Sequence, residues 1–296
     1  MVPVLSVVVL SYNSAATVVE TLESVFAQTF PDIELIVADD ASSDATVSLT
    51  RQWLDSHGKR FSSYSLVTAD SNSGIAVNLA RGVEASSGEF LKIIAADDIL
   101  KPEAAAGALK FMKRGGIDIC MSDVEVFSAG TQVPQAMVDA YRRYFNNVKE
   151  PAEMKLRRFS YEYALPTPAA FYTRRLYDKV GGMDLRYPMW DELPFYVKVV
   201  RAGYDIKALD EKLVGYRYSG SSLSQNGAQK LYNRAYFKDY RRAFYHIQLP
   251  LLLRYGNIGK LLGKMIRVEV YNLRYKTGGC PRAIVSLFDA LKMQKY

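Results

Sequence analysis

The chain has 296 residues, 49% of them hydrophobic and 23% charged, with a net charge of +7. That composition is ordinary for a globular protein with a real core, and the length allows one large domain or two fused ones. No run reaches the roughly 18 apolar residues of a membrane-spanning helix. Two cysteines, Cys120 and Cys280, and two histidines, His57 and His246, in no ligand spacing argue against a zinc site and a disulfide framework.

Val4–Leu10 is a near-continuous, β-branched apolar run, which predicts a parallel strand covered on both faces. It lacks a basic stretch before it and runs straight into a polar turn, so it is read as a strand and not a signal peptide. The turn Ser11-Tyr12-Asn13-Ser14 leads into a helix over 15–28, with Val18, Leu22, Val25 and Phe26 at helical spacing. Ile33–Ala38 predicts a second buried strand, 44–54 a helix, Tyr64–Thr68 a strand, Gly74–Ala85 a helix and Phe90–Ala95 a fourth strand. Repeated strand–helix alternation of this kind predicts a Rossmann-like α/β fold with a mostly parallel sheet.

Beyond Pro102 the pattern predicts a helix (103–114), a strand (Ile117–Ser122), loop and helix over an open cleft (128–165), a strand (Ala169–Tyr172) and a short helix (Arg174–Val180). A helix follows over 191–202, closed by Gly203. Residues 223–246 and 249–275 are expected to be helical, the second with Leu251, Tyr255, Ile258, Leu262, Met265 and Ile266 on one face and Arg254, Lys260, Lys264, Arg267 and Arg274 beside it. The last stretch, 223–296, holds 14 Lys and Arg against 3 acids, so a basic module is attached to a mildly acidic body over 1–222.

Ligands of an open parallel sheet bind at the carboxyl ends of its strands. Three of those ends carry polar clusters: Ser11-Tyr12-Asn13, Asp39-Asp40 and Asp97-Asp98. Either acid pair alone is an ordinary turn signal. Two pairs on the same edge suggest a shared acidic pocket, whose mutual repulsion calls for a cation. With no thiol or imidazole cluster available, oxygen ligands fit Mn²⁺ or Mg²⁺.

The run from Val4 to Thr46 resembles the opening of family 2 glycosyltransferases, which have the GT-A fold. The likeness continues through Asn72-Ser73-Gly74, Gly88-Glu89-Phe90, Ala95-Ala96-Asp97-Asp98, Gly181-Gly182-Met183-Asp184, Trp190-Asp191-Glu192-Leu193-Pro194, Arg201-Ala202-Gly203-Tyr204 and Tyr216–Ser224, covering about three quarters of the chain. It implies an inverting transferase that moves a sugar from a UDP- or dTDP-sugar to the hydroxyl of a glycan or lipid-linked glycan, in bacterial surface polysaccharide or glycan synthesis. Residues 1–100 would form the nucleotide-sugar half and 101–222 the acceptor half.

The resemblance also implies roles. Ser11, Tyr12 and Asn13 line the nucleotide pocket, and Asp40 accepts a hydrogen bond from the base, which suits the N3–H of uracil or thymine. Asn72, Gly74 and Asn78 lie where the family closes over ribose or base. Asp97-Asp98 stands at the family's Asp-X-Asp motif with Ala96 in place of its first acid; Asp97 approaches ribose or sugar and Asp98 ligates the metal. Glu192 is the general base by register, with Asp191 beside it in inverted order, although Asp191 also suits a helix N-cap. Where many relatives have a histidine near the metal, this chain has Ser219, while Arg217 suits either a phosphate contact or an ion pair.

Two other classes compete. A sugar nucleotidyltransferase needs a Gly-rich basic loop after the first strand, where this chain has Ser11-Tyr12-Asn13-Ser14-Ala15-Ala16. A non-catalytic nucleotide-sugar binding module is compatible with the altered acid motifs. The basic tail suits peripheral contact with an anionic membrane, packing on the catalytic body, or a homo-oligomer contact; no nucleic-acid motif accompanies its charge. The cysteine usage points to a reducing compartment, hence the cytoplasm or the cytoplasmic face of the inner membrane.

Overall fold

A computed structural model describes residues 4–219 and 234–277. In chain order its strands are β1 (Leu5–Ser11), β2 (Ile33–Asp39), β3 (Ser63–Thr68), β4 (Phe90–Ala95), β5 (Ile99–Leu100), β6 (Ile119–Phe127), β7 (Ala170–Thr173) and β8 (Lys207–Arg217). The helices are α1 (Val18–Phe26), α2 (Thr46–His57), α3 (Ile75–Glu84), α4 (Ala104–Gly115), α5 (Gln135–Val148), α6 (Ala152–Phe159), α7 (Arg174–Lys179), α8 (Glu192–Arg201), α9 (Arg234–Ala243), α10 (Leu249–Arg254) and α11 (Ile258–Thr277).

The strands form one sheet in the order β3-β2-β1-β4-β7-β6-β8-β5. Neighbours β3, β2, β1 and β4 are parallel, β7 runs against both β4 and β6, and β6 and β8 are parallel. This is the mostly parallel α/β architecture of the GT-A fold. Side chains alternate across each strand: Val7 and Val9 of β1 join the core under α1, α2 and α4, while Val8 joins the core under α3 and α8. Each such residue, fully removed from water, contributes about 1.5–3 kcal/mol, which explains why the central strands read as unbroken apolar runs.

The register brings the strand ends together. Ser11 pairs with Asp39 and Leu10 with Ala95. The segments after β1, β2 and β4 therefore emerge side by side on one edge. Hydroxyls of α1 tie that edge down: Thr17 Oγ1 donates to the Ala96 carbonyl and Thr21 Oγ1 to the Asp98 carbonyl, at 2.7 Å each.

Three expectations need correction. β8 was not foreseen as a strand. Its register with β6 jumps between Ser122/Asp123 and Asp123/Val124, and the charged Asp210-Glu211-Lys212 at that irregularity break the alternation that marks a strand. The stretch 249–275 is not one helix, because Gly256 adopts φ 64° and divides α10 from α11. Nor do the six apolar residues named for that stretch bury one face: Leu251 is buried, whereas Ile258 and Leu262 are 66% and 56% exposed, and Leu252 and Val268 fill the interior instead. Residues 220–233, which include the proposed domain boundary, part of the last family-like motif and Tyr232, lie outside the described residues, as does Cys280.

Polar residues stitch the opposite edge. Glu34 accepts hydrogen bonds from Ser6, Ser63 and Ser87, and Gly88 N donates to Ser6 Oγ at 2.7 Å. A Cβ on Gly88 would sit 2.5 Å from Ser6 Oγ and 2.6 Å from its backbone nitrogen. Gly88→Ala is expected to destabilise the protein by about 1–3 kcal/mol through forced backbone movement, read as a lower urea midpoint with an unchanged m value.

Candidate active site

Asp39 and Asp40 end β2 with different tasks. Asp39 is fully buried and accepts from Ser11 Oγ (2.8 Å), Ser42 N (2.8 Å) and Ser42 Oγ (2.6 Å). It holds the turn, in which Ala41 and the facing Asn13 take positive φ of 63° and 49°. Asn13 is exposed and locked to that turn, receiving Ser43 N at 2.9 Å and giving its own N–H to Ser42 Oγ at 2.8 Å. Tyr12 stands half open to solvent beside it.

Asp40 accepts Ser73 N, Ser73 Oγ (2.6 Å) and Gly74 N (2.8 Å), with Arg81 3.6 Å away. It fixes the 72–74 segment across the end of β2. Gly74, at φ 92°, is pressed against Pro188, and Ala76 N donates to the Pro188 carbonyl. This ties the Asp40 side of the edge to the loop that leads into Asp191. Asn78 uses its amide internally, donating to the Ala38 carbonyl and accepting from Arg81; Asn72 is exposed.

Asp97 and Asp98 follow β4. Asp98 is 2% exposed and accepts Arg217 N at 2.9 Å. Burial first, and the Asp97 carboxylate second, push its carboxyl up to about 8. Burial also raises Asp97. The Arg217 guanidinium donates to the Asp97 carbonyl and to Glu20, over the Phe127 ring, so its engagement is structural.

Asp191 and Glu192 start α8 and are half-buried. Asp191 makes no side-chain cap bond to the following turn. Burial pushes it up to about 6, and burial together with the neighbouring Asp191 charge pushes Glu192 up to about 8.

A pair of tyrosines joins the two acid pairs. Tyr141 of α5 and Tyr216 of β8 lie against one another, with ring centroids 4.7 Å apart. The field of Asp98 and that of Glu192 both act on each hydroxyl. Tyr144, Tyr163 and Tyr196 also lie within the field of Glu192. The acids of the β4 end and of α8 therefore both lie near the Tyr141–Tyr216 pair.

The motifs did not reveal this pair, although Tyr216 sits inside one of them. A second missed signal is Lys92, a lone charge in the apolar strand FLKIIA. It is fully buried at the back of the site, where burial pushes it down to about 7 against the favourable field of Asp98. His57 is stacked on Trp53 at 4.8 Å and belongs to the packing of α2.

Among the described residues no three acid, histidine or cysteine side chains group into a metal cage. Asp97 and Asp98 nonetheless form a fitting half-set of hard oxygen donors. They are adjacent carboxylates, Asp98 buried and Asp97 half-buried, whose charge is only partly offset, and a divalent cation would relieve it, with phosphate and water completing the shell.

The family model described as Glycosyl transferase family 2 matches residues 6–181. The PGL/p-HBAD biosynthesis glycosyltransferase of Mycobacterium bovis is 24% identical over 198 residues, 66% of this chain and 69% of that one. The succinoglycan biosynthesis protein ExoO of Rhizobium meliloti is 30% identical over 127 residues, 43% of this chain, and the match spans only 35% of ExoO. Among solved structures, S. aureus TarS 1-349 in complex with UDP-GlcNAc aligns with a TM-score of 0.62 at 18% identity, covering 96% of this chain and 83% of that one. The mannosyltransferase PcManGT from Pyrobaculum calidifontis, in complex with GDP-Man and Mn²⁺, aligns with 0.57 at 18%, covering 100% and 82%. At that identity the likeness speaks to the fold.

The raised acids have a measurable consequence. Glu192 holds its proton more tightly in the folded chain than in the unfolded one. The stability this confers is full below its ordinary value of 4.5 and is lost as pH rises through about 8. Glu192→Gln removes that loss, so the melting temperature of the variant relative to wild type should climb between pH 5 and pH 9; a flat difference would show that the carboxyl is not held neutral.

Proposed function

Since the chain belongs to glycosyl transferase family 2, we propose that it is an inverting transferase that moves a sugar from a UDP- or dTDP-sugar onto the hydroxyl of a glycan or lipid-linked glycan. Relatives named for succinoglycan and for PGL/p-HBAD biosynthesis support that setting. The observation that supports the reading is the Tyr141–Tyr216 ring pair, whose hydroxyls both feel the charge of Asp98 and of Glu192, so that the two acid pairs approach one place in the fold.

The chemistry divides between the two acid pairs. Glu192, neutral-leaning and poised near working pH, accepts the proton of the acceptor hydroxyl as that oxygen attacks the anomeric carbon from the face opposite the diphosphate. Asp191 keeps Glu192 basic by its adjacent charge. Asp98 would hold a Mn²⁺ or Mg²⁺ ion, with Asp97 toward ribose or sugar; when bound, such an ion offsets the charge of the departing diphosphate. Ser11, Tyr12 and Asn13 border the nucleotide side. Asp40 already holds Ser73 and Gly74, so its use for the N3–H of a pyrimidine requires the 72–74 segment to yield an acceptor. Residues 101–222 supply the acceptor side through α5 and the tyrosines.

With Mn²⁺ present, wild type is expected to release UDP or dTDP from its donor in the presence of acceptor. Glu192→Gln should lower kcat by about 10²–10⁴-fold while donor still binds. Asp98→Asn should lose stimulation by metal, and Asp191→Asn should move the rising limb of the pH–rate profile to lower pH, because the charge that raises Glu192 is gone. The substitution of Ala96 for the first motif acid favours one competitor, a non-catalytic binding module. Donor binding without turnover across a broad acceptor panel would establish that alternative.

The tail supports a peripheral contact with anionic lipid. α9 and α10 cover the body, with Phe237, Phe244, Leu251 and Leu252 buried and Tyr240 against Trp190 at 5.3 Å. Leu253, Ile258, Leu262 and Ile266 face outward, accompanied by exposed Arg254 and Lys260. Lys264 turns back to the Tyr161 carbonyl. Residues 234–277 hold ten Lys and Arg against two acids, so charge complementarity selects an anionic bilayer as the occupant of the stripe. The protein should sediment with phosphatidylglycerol-containing vesicles and not with phosphatidylcholine alone, and Leu262→Asp should abolish this. Sedimentation with neither would refute the contact, and self-association removed by Leu262→Asp would assign the stripe to a second copy.

A further inference from the structure

The chain does not pass smoothly from α9 into α10. Between them Phe244–Gln248 forms a single π-helical turn. Such turns are rare and concentrate at functional sites. Tyr245, His246 and Ile247 of this one line a hollow of about 410 Å³. That volume falls in the roughly 300–1,000 Å³ range of ligand pockets. A second part of the lining is one face of α8, where Pro194, Val197, Lys198 and Arg201 follow helical spacing. None of Asp97, Asp98, Asp191 and Glu192 lines it.

The charge of this hollow is one-sided. Its single acid, Asp184, is engaged by Arg186, which donates through Nε at 2.9 Å and Nη2 at 2.7 Å. Lys198 Nζ donates to the carbonyls of Gly181 and Gly182, neutral partners that leave its charge in place. Arg201 is exposed and makes no hydrogen bond or ion pair with the described residues. A further observation comes from Tyr187, which also lines the hollow. It is fully buried, its hydroxyl has no hydrogen-bond partner, and the Arg186 guanidinium lies over its ring at 5.7 Å. An unmet buried hydroxyl is destabilising until an oxygen answers it. An ammonium, a guanidinium and a hydroxyl are all donors, and an acceptor-only oxyanion such as phosphate suits them together. The apolar part of the lining has its own direction. Pro250, also on the lining, is followed at i+3 and i+4 by the exposed Leu253 and Arg254, which lead to the outward stripe of α11.

We propose that the hollow between α8 and the π-helical turn binds a phosphate ester, its phosphate held by Lys198, Arg201 and the Tyr187 hydroxyl and its alcohol portion directed along Pro250 and Leu253. The phosphate chemistry stands on the hollow alone. A lipid headgroup as the source of that phosphate rests on the membrane-contact reading of the stripe.

Isothermal calorimetry on the full chain tests this, with inorganic phosphate, glycerol 3-phosphate and dihexanoylphosphatidylglycerol below its micelle concentration as probes. Wild type is expected to bind the phosphate ester at one site. R201A and K198Q should each weaken binding by on the order of tenfold or more, since each removes a charge-assisted contact. Y187F should weaken it severalfold without lowering the urea midpoint, because the hydroxyl it removes bonds nothing in the free chain. R51A removes an exposed cation from α2, on the other face of the sheet, and should bind as wild type does. Tighter binding of the short-chain lipid than of glycerol 3-phosphate assigns the ester to a membrane, and equal binding assigns it to a soluble ester. No heat with any probe, or binding that R201A and K198Q leave unchanged, would overturn the proposal. A wild type that binds glycerol 3-phosphate yet sediments with no vesicle would remove the membrane reading and leave the site standing; sedimentation with no ester bound in solution would do the reverse.

Discussion

The cost of keeping carboxylates out of water beside one another governs this molecule. Asp98 is nearly sealed and has Asp97 as its neighbour; Glu192 is desolvated and has Asp191. A fold selected for stability alone would place such pairs at the surface, where hydration offsets their repulsion. Here the polar groups around them only partly compensate: the backbone N–H of Arg217 is donated to Asp98. Under the proposed reading, the remaining electrostatic strain is what a cation and a proton-bearing acceptor would relieve.

The sheet makes that arrangement affordable by separating duties. Of the four acids at the ends of β2 and β4, Asp39 and Asp40 are satisfied by serine hydroxyls and backbone amides and serve as braces. The Asp40 brace reaches, through Gly74 and Pro188, to the loop that precedes Asp191. Asp97 and Asp98 are left under-satisfied on the neighbouring strand. Lys92 and Arg217 sit behind them, and both spend their hydrogen bonds on backbone carbonyls or distant acids instead of neutralising the pair. The cations thus build the floor of the site and offset its charge only in part.

The C-terminal helices illustrate a different balance. Aromatic side chains of α9 cover Trp190, and Asp239 accepts the Met189 amide, so these helices buttress the loop ahead of Asp191. The break at Gly256 then redirects the chain. With the axis turned, Leu251 and Leu252 keep the interior while Ile258 and Leu262 are carried outside. One flexible backbone position divides an apolar stripe between core and surface.

Much of this was legible from the residues in order. β1, β2 and β4 announced themselves because strands covered on both faces must be apolar throughout, and the acids just beyond them had to share an edge once the strands were parallel. The motif register likewise singled out Asp98 and Glu192 as candidates. What the linear pattern could not convey was how the fold distributes hydrogen bonds among similar side chains. Asp39, Asp40, Asp97 and Asp98 are chemically alike in sequence, and only packing decides that Ser42 and Ser73 satisfy the first two while burial isolates the second two. β8 was hidden because its charged middle interrupts the ladder. Tyr141, Tyr216 and Lys92 come from α5, β8 and β4, so their approach to the acids exists only in three dimensions: local periodicity reports which face a residue shows, and tertiary contact alone reports what it meets there.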